Sequence, residues 1–296
     1  MFDTERYARE VLAASDWNGE HTSYLTVHSP RQVEALSLLP QVQAVRLWFL
    51  ETDLNRLRVL NDLRWLFVYE NPSLTDLSPL QHFSGLKSVG LSRCRMLRDL
   101  SPLARPGLKK LTLYDLHPEL SVEPLHDMPD LTFFSLSHPL LIERLDELPI
   151  GPELTGLVLG TEARYIDLGG IERWPLLTSL SLYGRTQTNQ LLALREPPAL
   201  NSLFLADLRP LDFDSFSVLP RLEYLGLLRC AVSDLTPLRE HPSLERLYLG
   251  QCTAQDGGPI DVMPLADRKD LFLTVSEDTV LLGEELFAPE RIKRIS

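Results

Sequence analysis

The sequence predicts an α/β solenoid: a right-handed coil with short parallel strands on a concave side and short helices or 3₁₀ turns on the convex side. Three observations predict it. A Leu-x-x-Leu-x-Leu pattern recurs in register along nearly the whole chain. The ninth position of several copies is Asn or Cys. The stretch that follows reads "TDLSPL" (75–80), "RDLSPL" (98–103) and "SDLTPL" (233–238) at the same phase of the repeat.

The pattern Leu63-x-x-Leu66-x-Val68 returns as Leu86-x-x-Val89-x-Leu91 and Leu108-x-x-Leu111-x-Leu113. It continues from Leu131, Leu154, Leu177, Leu200, Leu222 and Leu244, with upstream copies at Val42 and, more weakly, Thr22. Successive starts lie 20 to 23 residues apart, and a degraded last copy is read from Arg268 with Leu271 and Leu273 pointing inward. The ninth position is Asn71, Cys94, Cys230 and Cys252, so all three cysteines fall on it. They are too widely spread for a disulfide framework or a metal site, and are expected to be structural and reduced. Leu50, Leu116, Pro139, Glu162, Arg185 and Leu208 break this ladder in the middle of the chain.

In the return segments Ser78, Ser101 and Thr236 read as N-caps, each followed by a proline at the first helical position. Leu80, Leu103 and Leu238 then point back to the core. Asp76, Asp99 and Asp234 share one loop phase and suit turn and cap duty better than acid–base catalysis. "TNQLLALRE" (188–196) reads as a fuller helix, and Gly257-Gly258-Pro259 marks a turn in a lengthened return.

These residues resemble the leucine-rich-repeat family, whose unit is L-x-x-L-x-L-x-x-(N/C). The 22–23-residue unit is similar to the internalin and phosphatase-regulator types and to the repeat regions of bacterial NACHT-type signalling ATPases. On this reading residues 1–21 form an N-terminal helical cap. Residues 22–267 hold about eleven repeats, and 268–296 form the degraded last repeat and a C-terminal cap, in one continuous domain.

The chain of 296 residues carries a formal charge of −12. That balance argues against general affinity for nucleic acid or an anionic membrane surface. No apolar run approaches a membrane span, and the opening "MFDTERYARE" lacks the apolar centre of a secretory signal. The expectation is a cytoplasmic protein. There is no phosphate loop, no C-x-x-C, no H-E-x-x-H and no G-x-S-x-G. Gly90-Leu91-Ser92-Arg93-Cys94 fails the last of these at its final position. The seven histidines are scattered and read as surface residues. No cofactor, metal or catalytic set is predicted, and the chain reads as a non-enzyme.

In the resembling family the third, fifth, seventh and eighth residues of each unit face outward on the concave sheet. Across eleven units those are 44 positions, and they hold 12 of the 23 aromatics. Strand propensity favours aromatics, but five of the twelve fall in the adjacent units from Val42 and Leu63. Three readings stand: a cross-strand ladder that stiffens the sheet, a surface covered by the N-terminal cap, and a partner-binding surface. The favoured one is a protein or peptide site. It comprises Arg46, Trp48, Phe49, Trp65, Phe67, Tyr69, Arg93, Lys110, Tyr114 and Phe133, with the rings as anchors and Arg46, Arg93 and Lys110 orienting a partner that carries negative charge. Single-stranded nucleic acid is disfavoured, since the cations are few and scattered. Self-association through the same face, and service as the sensor of a NACHT-type ATPase system, are the alternatives.

Overall fold

The computed structural model describes residues 25–48, 53–137, 144–160, 167–184, 194, 199–207, 216 and 219–296. The expected N-terminal helix, the helix at 188–196 and Phe49 lie outside these residues, apart from Leu194. The chain packs as two units, Met1–Leu140 with Pro149–Glu153, and Leu141–Leu148 with Leu154–Ser296.

Strands β1 (Leu25–Val27), β2 (Ala44–Trp48), β3 (Trp65–Tyr69), β4 (Ser88–Ser92), β5 (Lys110–Tyr114) and β6 (Phe133–Ser137) belong to the first unit. Each pairs in parallel with the next, and the register matches repeat position to repeat position: Leu66 with Val89, Val89 with Leu111, Leu111 with Phe134. These side chains, with Val68, Leu91, Leu113 and Leu136, form two buried rows. Alternation does the sorting, because one set of side chains faces the core and the other faces away.

The second unit repeats the plan with β7 (Gly156–Gly160), β8 (Ser179–Tyr183), β9 (Ser202–Ala206) and β10 (Tyr224–Leu228). A two-residue strand β11 (Ala231–Val232) follows, then β12 (Arg246–Gly250), β13 (Thr253–Ala254) and β14 (Ile260–Asp261). The series ends with β15 (Phe272–Ser276), β16 (Leu281–Leu282) and β17 (Ile292–Ile295). β10 pairs with β12, β12 with β15, and β15 with β17, all in parallel. The sheet therefore runs through residues 268–296 with two strands. Register pairs Leu247 with Leu273 and Leu249 with Val275, so the inward pair of that coil is Leu273 and Val275, two residues beyond the pair read from the sequence. Leu271 is buried beside them. The lengthened return before it turns at Ala254–Gly258, where Gly257 takes φ +82° and donates its N–H to the Ala254 carbonyl at 2.9 Å.

Short 3₁₀ turns fill the return side, including Ser78–His82, Ser101–Leu103, Glu123–Asp127, Ile171–Arg173, Thr236–Leu238 and Met263–Leu265. The helix α1 (Pro30–Ala35) is capped as serine-then-proline predicts, with the Ser29 Oγ accepting from the Gln32 N–H at 3.3 Å. At Ser78, Ser101 and Thr236 the cap sits two residues earlier. Asp76 accepts the Ser78 N–H at 2.7 Å, Asp99 the Ser101 N–H at 2.8 Å and Asp234 the Thr236 N–H at 2.8 Å. The aspartates close these loops as Asx turns, and Ser78 and Thr236 instead donate their hydroxyls to the same carboxylates.

The ninth-position ladder forms as the sequence predicts. Asn71 and the three free cysteines are buried. The Cys94 thiol reaches the Ser92 carbonyl at 3.5 Å, Cys230 that of Leu228 at 3.4 Å, and Cys252 that of Gly250 at 3.3 Å. Burial pushes the Cys94 thiol up to about 11, so it stays protonated and unreactive. At the last coil Thr279 takes over, its buried hydroxyl accepting the Cys252 N–H at 3.1 Å.

Two devices on the return side were not expected. Arginines reach back one coil and donate to backbone carbonyls that the short turns leave open. Arg268 contacts the carbonyls of Leu238, His241 and Leu244 at 3.0, 2.8 and 2.7 Å, and Arg173 that of Asp146 at 2.8 Å. The second device is His241, which is 4% exposed and corrects the surface reading of the histidines. Its Nδ1 accepts from the Ser243 and Leu244 N–H groups at 3.3 and 3.1 Å, and its Nε2 donates to the Leu219 carbonyl at 3.0 Å. That pattern requires the neutral ring. Burial lowers its pKa, the Leu219 bond opposes this, and nearby Arg268 adds to it.

Two outcomes follow from these contacts. Asp76→Ala and Asp99→Ala should each cost about 1 kcal/mol, as for a lost cap, and Ser78→Ala measurably less, read as shifts in the urea midpoint. The unfolded His241 ring binds its proton near pH 6.5 while the folded one resists it. Stability should therefore be full above pH 6.5 and fall as pH drops below that value. In His241→Asn the decline across that window should be shallower.

Candidate functional site

In the first unit, eight of the ten predicted residues lie on strands β2, β3, β5 and β6, and Arg93 sits just past the end of β4. Register sets Trp65, Ser88, Lys110 and Phe133 in one row, Arg46, Phe67, Gly90 and Thr112 in the next, and Trp48, Tyr69, Ser92 and Tyr114 in a third. The aromatics of β3 thus stand beside a strand of small residues, Ser88, Gly90 and Ser92.

Several of these side chains are knotted together. The Trp48 and Tyr69 rings stack at 4.3 Å with planes 14° apart. Arg93 lies over Tyr69 at 5.4 Å, and Arg46 over Phe67 at 5.8 Å. Phe67 leans across onto β4, where a Cβ on Gly90 would sit 2.2 Å from its ring. The glycine is there because the ring occupies its side-chain space. Trp48, Trp65, Phe67, Tyr69 and Phe133 are half-buried, while Tyr114 is 44% exposed. The cross-strand ladder foreseen as an alternative is thus present at Trp48 and Tyr69, and rings remain partly accessible beside it.

The charges sort differently from the sequence reading. The eighth position of the unit is a left-handed turn leaving the strand: Glu70, Arg93, Asp115, Asp207, Arg229 and Gln251 all have φ between 47° and 65°. The N–H groups of the first five continue the ladder to the next coil, as from Glu70 to the Ser92 carbonyl at 2.8 Å, while that of Gln251 donates to the Ser276 hydroxyl at 2.8 Å. Neighbours at this position pair with each other or nearby, Arg93 with Glu70 at 3.4 Å and Asp115 with Arg95 at 2.6 Å. Arg93 is therefore partly neutralised where it stands. Lys110 is exposed on the open face and makes no ion pair among the described residues.

Among the described residues, no group of three or more His, Cys, Asp or Glu side chains is gathered that could hold a metal ion. No helix among them is long and apolar enough to cross a membrane. What the arrangement offers chemically is contact: partly exposed rings for apolar side chains and the exposed Lys110 ammonium for an acid.

The stack generates a testable number. A double-mutant cycle of Trp48→Ala and Tyr69→Ala should return a coupling of about 0.5–1.5 kcal/mol in unfolding free energy. Additivity of the two changes would mean that the rings do not support one another.

No family model matches the chain, and neither does any curated protein. Solved structures do. An internalin (inlF) of Listeria monocytogenes str. 4b F2365 is similar with a TM-score of 0.58 and 22% identity, covering 88% of this chain and 75% of that one. A leucine-rich-repeat protein of Leptospira interrogans is similar with a TM-score of 0.55 and 16% identity, over 86% and 72%. The structure of a TLR13–ssRNA13 complex is similar with a TM-score of 0.52 and 18% identity, and this chain spans only 47% of that one. At these identities the likeness is one of fold, and the fold is the leucine-rich-repeat solenoid.

Proposed function

We propose that this chain is a non-enzymatic, cytoplasmic recognition module whose first unit binds a protein or peptide segment on the open face of β2 to β6. One observation carries the reading. Partly exposed rings on β2, β3, β5 and β6 flank the small residues of β4, with Lys110 beside them lacking an ion pair among the described residues. Solenoids of stacked repeats use such extended faces for binding, and tryptophan and tyrosine are the types enriched at energetic centres of interfaces. Trp65 and Phe67 serve as anchors, Tyr114 and Phe133 as the far wall, and Lys110 as the contact for a carboxylate. Service as the sensor of a NACHT-type ATPase rests on the sequence resemblance alone, and no feature of the face favours it.

The test is a pull-down from native-host lysate with wild type beside a Trp48/Trp65/Phe67 alanine triple variant of matched circular dichroism. A partner held by wild type should be lost by the variant. Loss of one anchor should weaken its affinity by about 2 kcal/mol, roughly thirtyfold. Equal capture by both proteins would make the rings a stiffening ladder and sink the proposal.

A further inference from the structure

We propose that the second unit carries a ligand site of its own, an aromatic and cationic strip on β8, β9, β10, β12, β15 and β17 that takes an extended acidic peptide segment of a partner protein. It shares no residue with the face of the first unit.

The strip begins with three rings in sequence. Tyr183 and Phe204 lie 5.3 Å apart with planes 34° from parallel, and Phe204 and Tyr248 lie 6.1 Å apart at 20°. The rings lie low on the sheet because glycines leave room. A Cβ on Gly226 would meet the Phe204 ring at 2.4 Å, and one on Gly250 would meet the Tyr248 hydroxyl at 2.2 Å. The result is a smooth aromatic floor.

Cations border that floor. Arg246 is exposed, lies over the Tyr224 ring at 5.6 Å, and has Tyr224 and Phe272 as its register neighbours. Phe272 is 49% exposed. Lys293 is exposed on β17 and joins the row of Tyr248 through Thr274. Neither Arg246 nor Lys293 has a carboxylate within ion-pair distance among the described residues. Arg229 shows the contrast: Asp207 holds it through two bonds of 2.8 and 2.7 Å. Positive charge is thus left open to a ligand on a chain whose formal balance is −12, and the complement is an acid.

The strip favours a peptide over a nucleic acid strand. Side chains on one side of an extended peptide repeat every ~6.6 Å, near the 5.3 and 6.1 Å between successive rings. A single strand carries a phosphate at each nucleotide, and two cations on an acidic protein match it poorly. β10 and β12 are paired on both sides, so the ligand meets side chains across the strands and does not add as a strand to these two.

The test uses the full chain. A phage-displayed library of random linear peptides is panned on it, and enriched sequences are synthesised and titrated by fluorescence polarisation. The peptides should carry Asp or Glu within two residues of an aromatic or leucine. They should weaken at least tenfold on Arg246→Glu and on Phe204→Ala, weaken as salt rises, and bind Trp65→Ala/Phe67→Ala as tightly as wild type. Arg246 is exposed, so its variant keeps the test open if Phe204→Ala fails to fold. Enrichment of no peptide, enrichment without acids, or indifference to Arg246→Glu overturns the proposal. Loss only in the Trp65/Phe67 variant would overturn it while favouring the first-unit face. Labelled oligouridine binding through Arg246 where no peptide binds would replace it with a nucleic-acid site.

Discussion

Everything in this fold depends on coils meeting in register. A coil of 22 or 23 residues encloses too little apolar surface to hold its own leucines, so each is stable only against its neighbours. Parallel pairing sets Leu66 beside Val89 and Val89 beside Leu111, and a slip of one residue would exchange buried leucines for outward side chains. Once register is set, the other interactions fall into columns. The ninth-position side chains meet carbonyls under the bend, the eighth-position charges meet each other, and arginines on the return side find carbonyls one coil back.

Periodic features were therefore legible in the sequence, and solitary ones were not. The leucine rows and the Asn71, Cys94, Cys230 and Cys252 ladder recur at fixed spacing, and the structure shows both. The caps were misplaced by two residues because serine before proline is a good cap pattern, and Asp76 or Asp99 competes for the same N–H groups. The left-handed eighth position went unread because Glu70, Arg93 and Asp115 are not the residues that announce positive φ. Arg173, Arg268 and His241 gave no signal, since their partners are backbone groups and no sequence motif encodes a carbonyl one coil away. The last coil was read two residues early because its lengthened return carries Leu271 into the core.

The outward aromatics were legible as a set, but their posture was not. Sequence places Phe67, Phe204 and Tyr248 on the open face; only the structure shows Gly90, Gly226 and Gly250 giving up side-chain space beneath them. The charges changed meaning too. Arg93 was read as a contact for a partner, yet it is engaged with Glu70 of the preceding coil, as Arg229 is with Asp207. Lys110, Arg246 and Lys293 are exposed and make no ion pair among the described residues.

The turn at Ala254–Gly258 has a practical side. The coil containing it is longer than its neighbours, yet β12 and β15 pair without a break. Nothing lies within 4 Å of where a side chain on Gly257 would project. Extra length in this solenoid is discharged sideways and leaves the stacking unaltered. The loop is thus a natural graft point: a fluorophore, an affinity handle or a whole inserted domain placed there would leave the pairing of β12 with β15 undisturbed.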